Sequence, residues 1–173
     1  MKVCLTATFA AKKPKVDPTA LFKLSYGLYV LTVGGDKPNG CISNTVFQVS
    51  ENPTRIAVSC QKGNLTRELI EKSGVFNISV LSEDVPFETV RHFGMQSGRE
   101  VDKFAEFKDF KTAANGVPYI SANTNAFISV KVASATDLDS HMLFVCDITE
   151  SQVLSKDPSC TYAHYHAAVK PKK

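Results

Sequence analysis

The sequence predicts a mainly β protein with short helices, built as an antiparallel barrel and not as a doubly wound parallel sheet. Segments of β-forming residues follow one another mostly as strand, turn and strand, and a helix is inserted after the third of them. The chain of 173 residues is 43% hydrophobic and 21% charged, as in an ordinary globular protein. This length predicts one domain over residues 1–173 with a substantial buried core.

The first third of the chain predicts a short helix and three strands. Residues 1–17 form a charged, proline-containing lead-in. Asp17 is the predicted N-cap and Pro18 takes the first helical position, so that a short helix runs to about Leu24. A glycine-rich turn and an Asn-Pro break separate three strands over residues 26–33, 42–50 and 55–60.

The middle of the chain predicts two helices on either side of a fourth strand. The first helix covers residues 65–72, opens at Asn64 and ends where Gly74 follows it. The fourth strand covers residues 75–81, with its larger apolar side chains on one face. The second helix covers residues 83–93, with a proline tolerated in its first turn.

The last part of the chain predicts a long loop and a β-hairpin. Residues 94–115 are polar, charged and aromatic, which indicates a functional loop, and residues 117–125 hold a short edge strand. Two long strands over residues 126–135 and 142–154 are joined by a turn over residues 136–141. An aromatic and histidine-containing segment over residues 160–169 and a basic tail over residues 170–173 end the chain.

The composition excludes several classes of protein. The net charge of +3 is mild and the lysines cluster near both ends, which favours solvated tails over a nucleic-acid-binding surface. No stretch approaches the ~18 apolar residues of a membrane helix, and the N-terminus is too short and broken for a secretory signal. Five scattered cysteines without a C-x-x-C pair indicate reduced thiols. We therefore expect a cytoplasmic protein that binds neither nucleic acid nor membranes.

Motifs of several common enzymes are missing from the sequence. It contains no G-x-G-x-x-G, no Walker A sequence, no G-x-S-x-G and no H-E-x-x-H. Cys160, His164 and His166 form the one metal-like group, for which aromatic packing and hydrogen bonding are the favoured explanation. We therefore predict no metal site.

The segment from Ser59 to Thr66 joins a strand to the start of a helix. Unpaired N–H groups and the helix dipole make such a start suitable for an anion. Lys62 can supply a charge, and Asn64 and Thr66 can supply hydrogen-bond donors. Taken alone, an N-capping Asn64 and a solvated Lys62 are the favoured explanation of the same residues.

Three polar residues follow one another in the predicted second strand, at Ser43, Asn44 and Thr45. Polar groups in a core strand are costly unless they find partners, and the edge of a flat heteroaromatic ligand would provide them. An edge strand whose polar side meets water is the alternative.

These segments together resemble the flavin reductase-like family of FMN-binding, antiparallel Greek-key split β-barrels. The resemblance extends from about residue 18 to residue 169, and the ordered set of motifs is more specific than any one of them. The motif Ser97–Phe104 and the terminal Tyr162-x-x-Tyr165-His166 resemble the branch with archaeal ferric reductases and the flavin domains of high-molecular-weight rubredoxins. The earlier matching segments are 40–50, 52–53, 56–59, 64–66 and 73–81, and His141 precedes a later one.

The resemblance implies FMN bound at a homodimer interface. It places the isoalloxazine ring against Asn44, Thr45, Val46 and Phe47. It places the ribityl chain and phosphate against Ser59, Cys60, Gln61, Lys62, Asn64 and Thr66. His141 is the candidate catalytic contact to flavin or nicotinamide, with a turn histidine as the alternative. Phe93, Arg99 and Lys103 are expected to border the open face of the flavin, unless they belong to a solvated loop.

The implied activity is reduction of flavin, or of a small acceptor such as ferric iron, with NAD(P)H as the donor. The cofactor would carry the chemistry, and the protein would orient two rings and exclude water. A non-enzymatic FMN electron carrier that serves protein redox partners is the alternative. A ligand-free interaction barrel is the third possibility.

Overall fold

The computed structural model describes residues 15–172. Within them, the helices are a 3-10 helix (Pro18–Lys23), α1 (Leu65–Ser73), α2 (Phe87–Gly94), the short α3 (Tyr162–His164) and a π-helical turn (Tyr165–Val169). The strands are β1 (Tyr29–Val33), β2 (Asn39–Ser43), β3 (Val46–Glu51), β4 (Thr54–Gln61), β5 (Val75–Leu81), β6 (Phe110–Thr112), β7 (Pro118–Ile120), β8 (Thr124–Leu138) and β9 (His141–Val153).

Seven strands form one antiparallel sheet in the order β2-β1-β5-β8-β9-β4-β3, and β6 and β7 form a separate pair. The two edge strands of the large sheet, β2 and β3, are consecutive in the chain, and only Asn44 and Thr45 separate them. The sheet must therefore curl until its two edges meet. Within residues 15–172 no ladder pairs β2 with β3, so the curled sheet stays open along this seam.

The curled sheet has separate apolar clusters on its two faces, as the side chains of β1 show. Leu31 points into the interior of the curl, where it meets Ile70 of α1. Its neighbour Val30 points outward, to a second cluster with Val90 and Phe93 of α2. Alternate residues of a strand face opposite sides, so β1 is buried between both helices. The two helices are thereby fixed next to the β2 end of the sheet.

Most predicted elements are confirmed at their predicted positions. Asp17 caps the first helix, because its carboxylate accepts the Thr19 N–H at 2.9 Å. Gly74 adopts the left-handed conformation (φ 68°) that ends α1, a conformation that glycine reaches without steric cost. Residues 1–14 of the predicted lead-in and the last residue of the basic tail lie outside the described residues.

Several predicted boundaries are wrong. Helix α2 begins at Phe87 and not at residue 83, so Pro86 is its N-cap and not part of its first turn. The single strand expected over residues 42–50 is two strands, because the Ser43 and Asn44 side chains bond to Thr45 and interrupt the ladder. The hairpin turn expected over residues 136–141 is shorter, because β8 and β9 pair as far as Leu138 and His141. Asp137 accepts the Asp139 N–H at 2.8 Å, which closes the turn.

The loop expected over residues 94–115 contains β6, which pairs with β7. Three residues of strand are too short for a periodic signal, so the sequence did not indicate this pair. The edge strand predicted within residues 117–125 is confirmed as β7. No helix among the described residues is long and apolar enough to cross a membrane.

Candidate functional site

The start of α1 offers unused hydrogen-bond donors. Strand β4 ends at Gln61, and the chain turns through Gly63 and the N-cap Asn64 into the helix. The Asn64 side chain makes no capping hydrogen bond, so the N–H groups of the first turn have no side-chain partner. Thr66 and Ile70 are buried and hold this end of the helix against the sheet. The helix dipole therefore points its positive end at whatever lies in front of Asn64.

A cavity of about 490 Å³ lies in front of this helix start and is called the α1 cavity here. Its polar wall includes Asn39, Gln61, Asn64, Thr66 and Lys103. Its apolar and aromatic wall includes Leu28, Ile42, Val90, Phe93, Tyr162 and Tyr165. Ligand-binding sites commonly have a volume in this range and combine an apolar wall with a few fixed polar groups.

A second cavity of about 230 Å³, the β2–β4 cavity, lies beside the first. The two cavities share Ile42, Gln61, Asn64 and Tyr162, so together they form one continuous groove. The β2–β4 cavity runs along the seam where β2 passes into β3, and it is also lined by Ser43, Asn44, Thr45, Ser59, Cys60 and His141.

Lys103 is a buried cation in the wall of the α1 cavity. Its side chain is 3% exposed, and its ammonium donates to the carbonyls of Gly40 (2.8 Å) and Phe93 (2.9 Å). Burial lowers the pKa of this lysine, because the charged form is poorly solvated. The two carbonyls belong to β2 and to the last turn of α2, so Lys103 joins these elements. The alternative of a solvated lysine is wrong.

Cys41 and Cys60 lie side by side where the two cavities meet. Their sulfurs are 3.8 Å apart, and both residues are buried. Their mutual hydrogen bond and their burial raise the pKa of Cys60. The same hydrogen bond lowers the pKa of Cys41 against the opposing effect of burial, with smaller contributions from Thr66, Lys103 and Asn64. The pair thus consists of one thiol that ionises more easily and one that resists ionisation.

The loop between α2 and Lys103 is tied to α1. Arg99 donates to Glu68 of α1 at 2.6 Å. Gly98 packs directly against the Asn39 amide, where a Cβ would meet that side chain at 2.2 Å. Both contacts hold the sequence Ser97–Gly98–Arg99 against the cavity. Arg99 is therefore engaged in an exposed ion pair with α1, and it lines neither cavity of the groove.

The structure brings ten of the thirteen predicted site residues into the groove. Six of them line the β2–β4 cavity: Asn44, Thr45, Ser59, Cys60, Gln61 and His141. Asn64 lines both cavities, and Thr66, Phe93 and Lys103 line the α1 cavity.

The other three predicted residues lie outside the groove. Phe47 is 51% exposed, and Val46 packs against the interior cluster. The Lys62 ammonium lies 2.6 Å from Asp137 of β8, on the outer surface.

His141, which lines the β2–β4 cavity, is oriented by a 2.9 Å hydrogen bond between its Nδ1 and the Ser140 hydroxyl.

Several wall residues were missed by the sequence analysis. Asn39 lies in a segment predicted to be a turn, and its amide oxygen accepts the Gly40 N–H at 2.8 Å. Tyr162 and Tyr165 come from the far end of the chain, and Tyr162 lines both cavities. The terminal tyrosines were part of the family resemblance, but local sequence gave no reason to place them in the groove. No cluster of three or more metal-ligating side chains occurs within residues 15–172.

Comparison with known proteins matches the chain to one family. The model of the flavin reductase like domain matches residues 21–171. The chain is 41% identical to the high molecular weight rubredoxin of Moorella thermoacetica over 87% of its own length and 66% of that protein. It is 37% identical to the ferric-chelate reductase (NAD(P)H) of Archaeoglobus fulgidus over 91% of its length and 93% of that protein.

A solved structure supports the same fold. The Streptomyces globisporus NADH:FAD oxidoreductase superposes with a TM-score of 0.77 at 20% identity, covering 88% of this chain and 94% of that one. The chain spans just under two thirds of the Moorella protein, so it corresponds to one part of that relative. The match over residues 21–171, with two relatives above 30% identity, shows that this chain belongs to the flavin reductase-like domain family.

Proposed function

We propose that the chain is an FMN-binding oxidoreductase that uses NAD(P)H to reduce flavin or a small acceptor such as ferric iron. The family match supports an oxidoreductase, and the likeness to the Archaeoglobus ferric-chelate reductase (NAD(P)H) supports this donor and acceptor. The single observation that carries the proposal is the continuous groove with an uncapped helix start at one end. FMN has the matching chemistry, with a dianionic phosphate at one end and a flat ring at the other.

The phosphate fits the start of α1. Gly63 leaves open space beside the helix start, because a Cβ there would meet nothing within 4 Å. The N–H groups of Leu65 and Thr66, the Asn64 amide and the Thr66 hydroxyl are donors, which an anion with several acceptor oxygens requires; the Arg67 N–H already donates to the Asn64 carbonyl. We expect the phosphate to lie near the start of α1. Its charge is not fully neutralised there, because Lys62 is paired with Asp137.

The ring fits the seam between β2 and β3. Here the ladder is interrupted, so the backbone groups of Asn44 are available for a planar ligand with hydrogen-bonding edges. The Thr45 N–H and carbonyl are already bonded to the Ser43 hydroxyl and the Ser59 N–H. Bound flavin supplies the capacity to accept a hydride and to pass electrons on. The residues of the groove have to hold that ring in place and exclude water from one of its faces. His141, held by Ser140, is the proposed contact at the end of this cavity.

Steady-state and spectroscopic measurements test the proposal together. Purified protein should bind added FMN, and its flavin absorbance should bleach when NADH or NADPH is added anaerobically. Ferric citrate or free FMN should then be reduced at a rate proportional to the protein concentration. A protein that binds no flavin, or whose bound flavin is not reduced by either nucleotide, would contradict this assignment.

The likeness to a protein named high molecular weight rubredoxin supports a second candidate, an FMN electron carrier with a protein partner. The two candidates differ in how the flavin behaves. A carrier should retain FMN through gel filtration and show no NAD(P)H oxidation, whereas a reductase should turn over NAD(P)H with free acceptor.

We also propose that two copies associate. Phe22 of the first helix and Phe47 and Val49 of β3 are exposed large apolar side chains, beside the groove and on the edge of the sheet. Burying them against a second copy would remove apolar surface from water. Sedimentation equilibrium should give a mass of two chains, and Phe47→Ser should shift it toward one.

A further inference from the structure

The pair Cys41 and Cys60 has the geometry of a redox centre that the proposed function does not use. The two thiols come from β2 and β4, which are neighbours in space but not partners in the sheet. Their sulfurs touch at 3.8 Å, while a disulfide bond measures ~2.05 Å. Closing this gap requires a movement of under ~2 Å, which side-chain rotation and a small shift at the open seam can supply.

The position of the pair links it to the groove. Cys41 lines the α1 cavity and Cys60 lines the β2–β4 cavity, so each end of the pair faces one half of the groove. Protein surrounds the thiols on the remaining sides, since both are almost fully buried. An electron acceptor bound in the groove would therefore be the nearest oxidant.

The surroundings of the two sulfurs differ in the way that thiol–disulfide chemistry requires. Thr66, Lys103 and Asn64 add to the effect of Cys60 in favouring the Cys41 thiolate, which is the attacking species. At Cys60 the shared hydrogen bond and burial outweigh Asn64 and Arg67, which favour its thiolate, so Cys60 retains its proton until the bond forms. A symmetric pair of apolar core cysteines would lack this division of roles.

We propose that Cys41 and Cys60 form a reversible dithiol–disulfide centre that exchanges two electrons with the flavin bound in the groove. In the oxidising direction the two S–H bonds break, one S–S bond forms, and two electrons and two protons leave the pair. An oxidised isoalloxazine takes up the same two electrons and two protons, so the exchange is balanced. This inference rests on the proposed flavin site only for its electron acceptor, and the pair itself does not depend on it.

Two independent measurements separate the pair from the flavin. In the first, flavin-free protein is oxidised with diamide and analysed by mass spectrometry and peptide mapping. Wild type should lose about 2 Da and yield a peptide linking Cys41 to Cys60, reversibly on adding dithiothreitol. Absence of this cross-link in both the flavin-free and the FMN-loaded protein would overturn the pair.

In the second measurement, oxidised FMN-loaded protein is titrated anaerobically with dithionite. Wild type should take up about four electrons per chain, two for the flavin and two for the disulfide. The Cys41→Ala and Cys60→Ala variants cannot form the disulfide and should each take up about two electrons per chain. Cys146→Ala is the matched control, because this cysteine is fully buried in the same interior cluster and should leave four.

The outcomes remain distinguishable. If the flavin-free protein forms the cross-link but binds no FMN, the proposed function is refuted. The disulfide between Cys41 and Cys60 is then confirmed, but its exchange with flavin is not. A cross-linked holoprotein that takes up only two electrons would overturn the exchange. If one alanine variant fails to fold, the electron count of the other variant and the peptide map of wild type still test the proposed disulfide.

Discussion

Replacing Lys103 by methionine tests the most specific structural feature of the cavity wall. The substitution keeps the length of the side chain and removes the ammonium that bonds to the Gly40 and Phe93 carbonyls at 2.8 and 2.9 Å. Each buried carbonyl left without a donor costs about 1–3 kcal/mol. Removing a charge whose pKa burial has already lowered offsets part of that cost. We expect a net loss of about 2–4 kcal/mol in the free energy of unfolding.

The assay is urea and thermal unfolding of the flavin-free protein, followed by circular dichroism. For a chain of this size the loss should lower Tm by about 4–16 °C. Lys108→Met is the matched control, because Lys108 lies in the same loop and bonds to a carbonyl at the exposed surface. It should change the stability by less than ~0.5 kcal/mol. Equal, small effects of the two substitutions would refute the role given to Lys103.

Three further predictions concern the same groove. Thr66→Val removes a buried hydroxyl at the start of α1 and should weaken FMN binding about 10- to 100-fold in a fluorescence titration. The control substitution Thr149→Val on β9 should leave FMN binding unchanged. Equal Kd values for the two variants would place the phosphate elsewhere. Lys62→Gln should weaken FMN binding less than Thr66→Val, because Lys62 is engaged with Asp137; a larger loss would show that this lysine reaches the ligand. Burial lowers the pKa of Lys103 in the folded state. Between this lowered pKa and the unfolded pKa of about 10.4, the unfolded state binds more protons than the folded state. The stability of wild type relative to Lys103→Met should therefore rise with pH in this alkaline window. A relative stability that falls in repeated urea titrations would contradict this sign.

The local features of the fold could be predicted from the sequence because their causes are local. Asp17 with Pro18 starts the first helix, and Gly74 ends α1 through its left-handed conformation. The proposal of an anion site at Asn64 rests on the same kind of reasoning, since the first N–H groups of a helix have no partner within the helix. The ring half of the groove was named from family resemblance and not from such an argument.

The errors arose where distant segments decide the structure. The meeting of the two sheet edges at Asn44 depends on the order of all seven strands, which no window of sequence contains. Lys103 belongs to a charged loop and its burial depends on carbonyls of β2 and α2. Tyr162 reaches the groove from the end of the chain. The periodicity of hydrophobic residues along the sequence does not indicate which distant segments come together.

The most direct test of the central claim is the comparison of FMN with riboflavin in an equilibrium titration of the purified protein. The two ligands share the ring and the ribityl chain and differ only in the phosphate. If the start of α1 holds that phosphate, FMN should bind at least about 10-fold more tightly than riboflavin, and raised salt should narrow the difference. Equal affinity for both ligands, or binding of neither, would contradict the assignment of the groove.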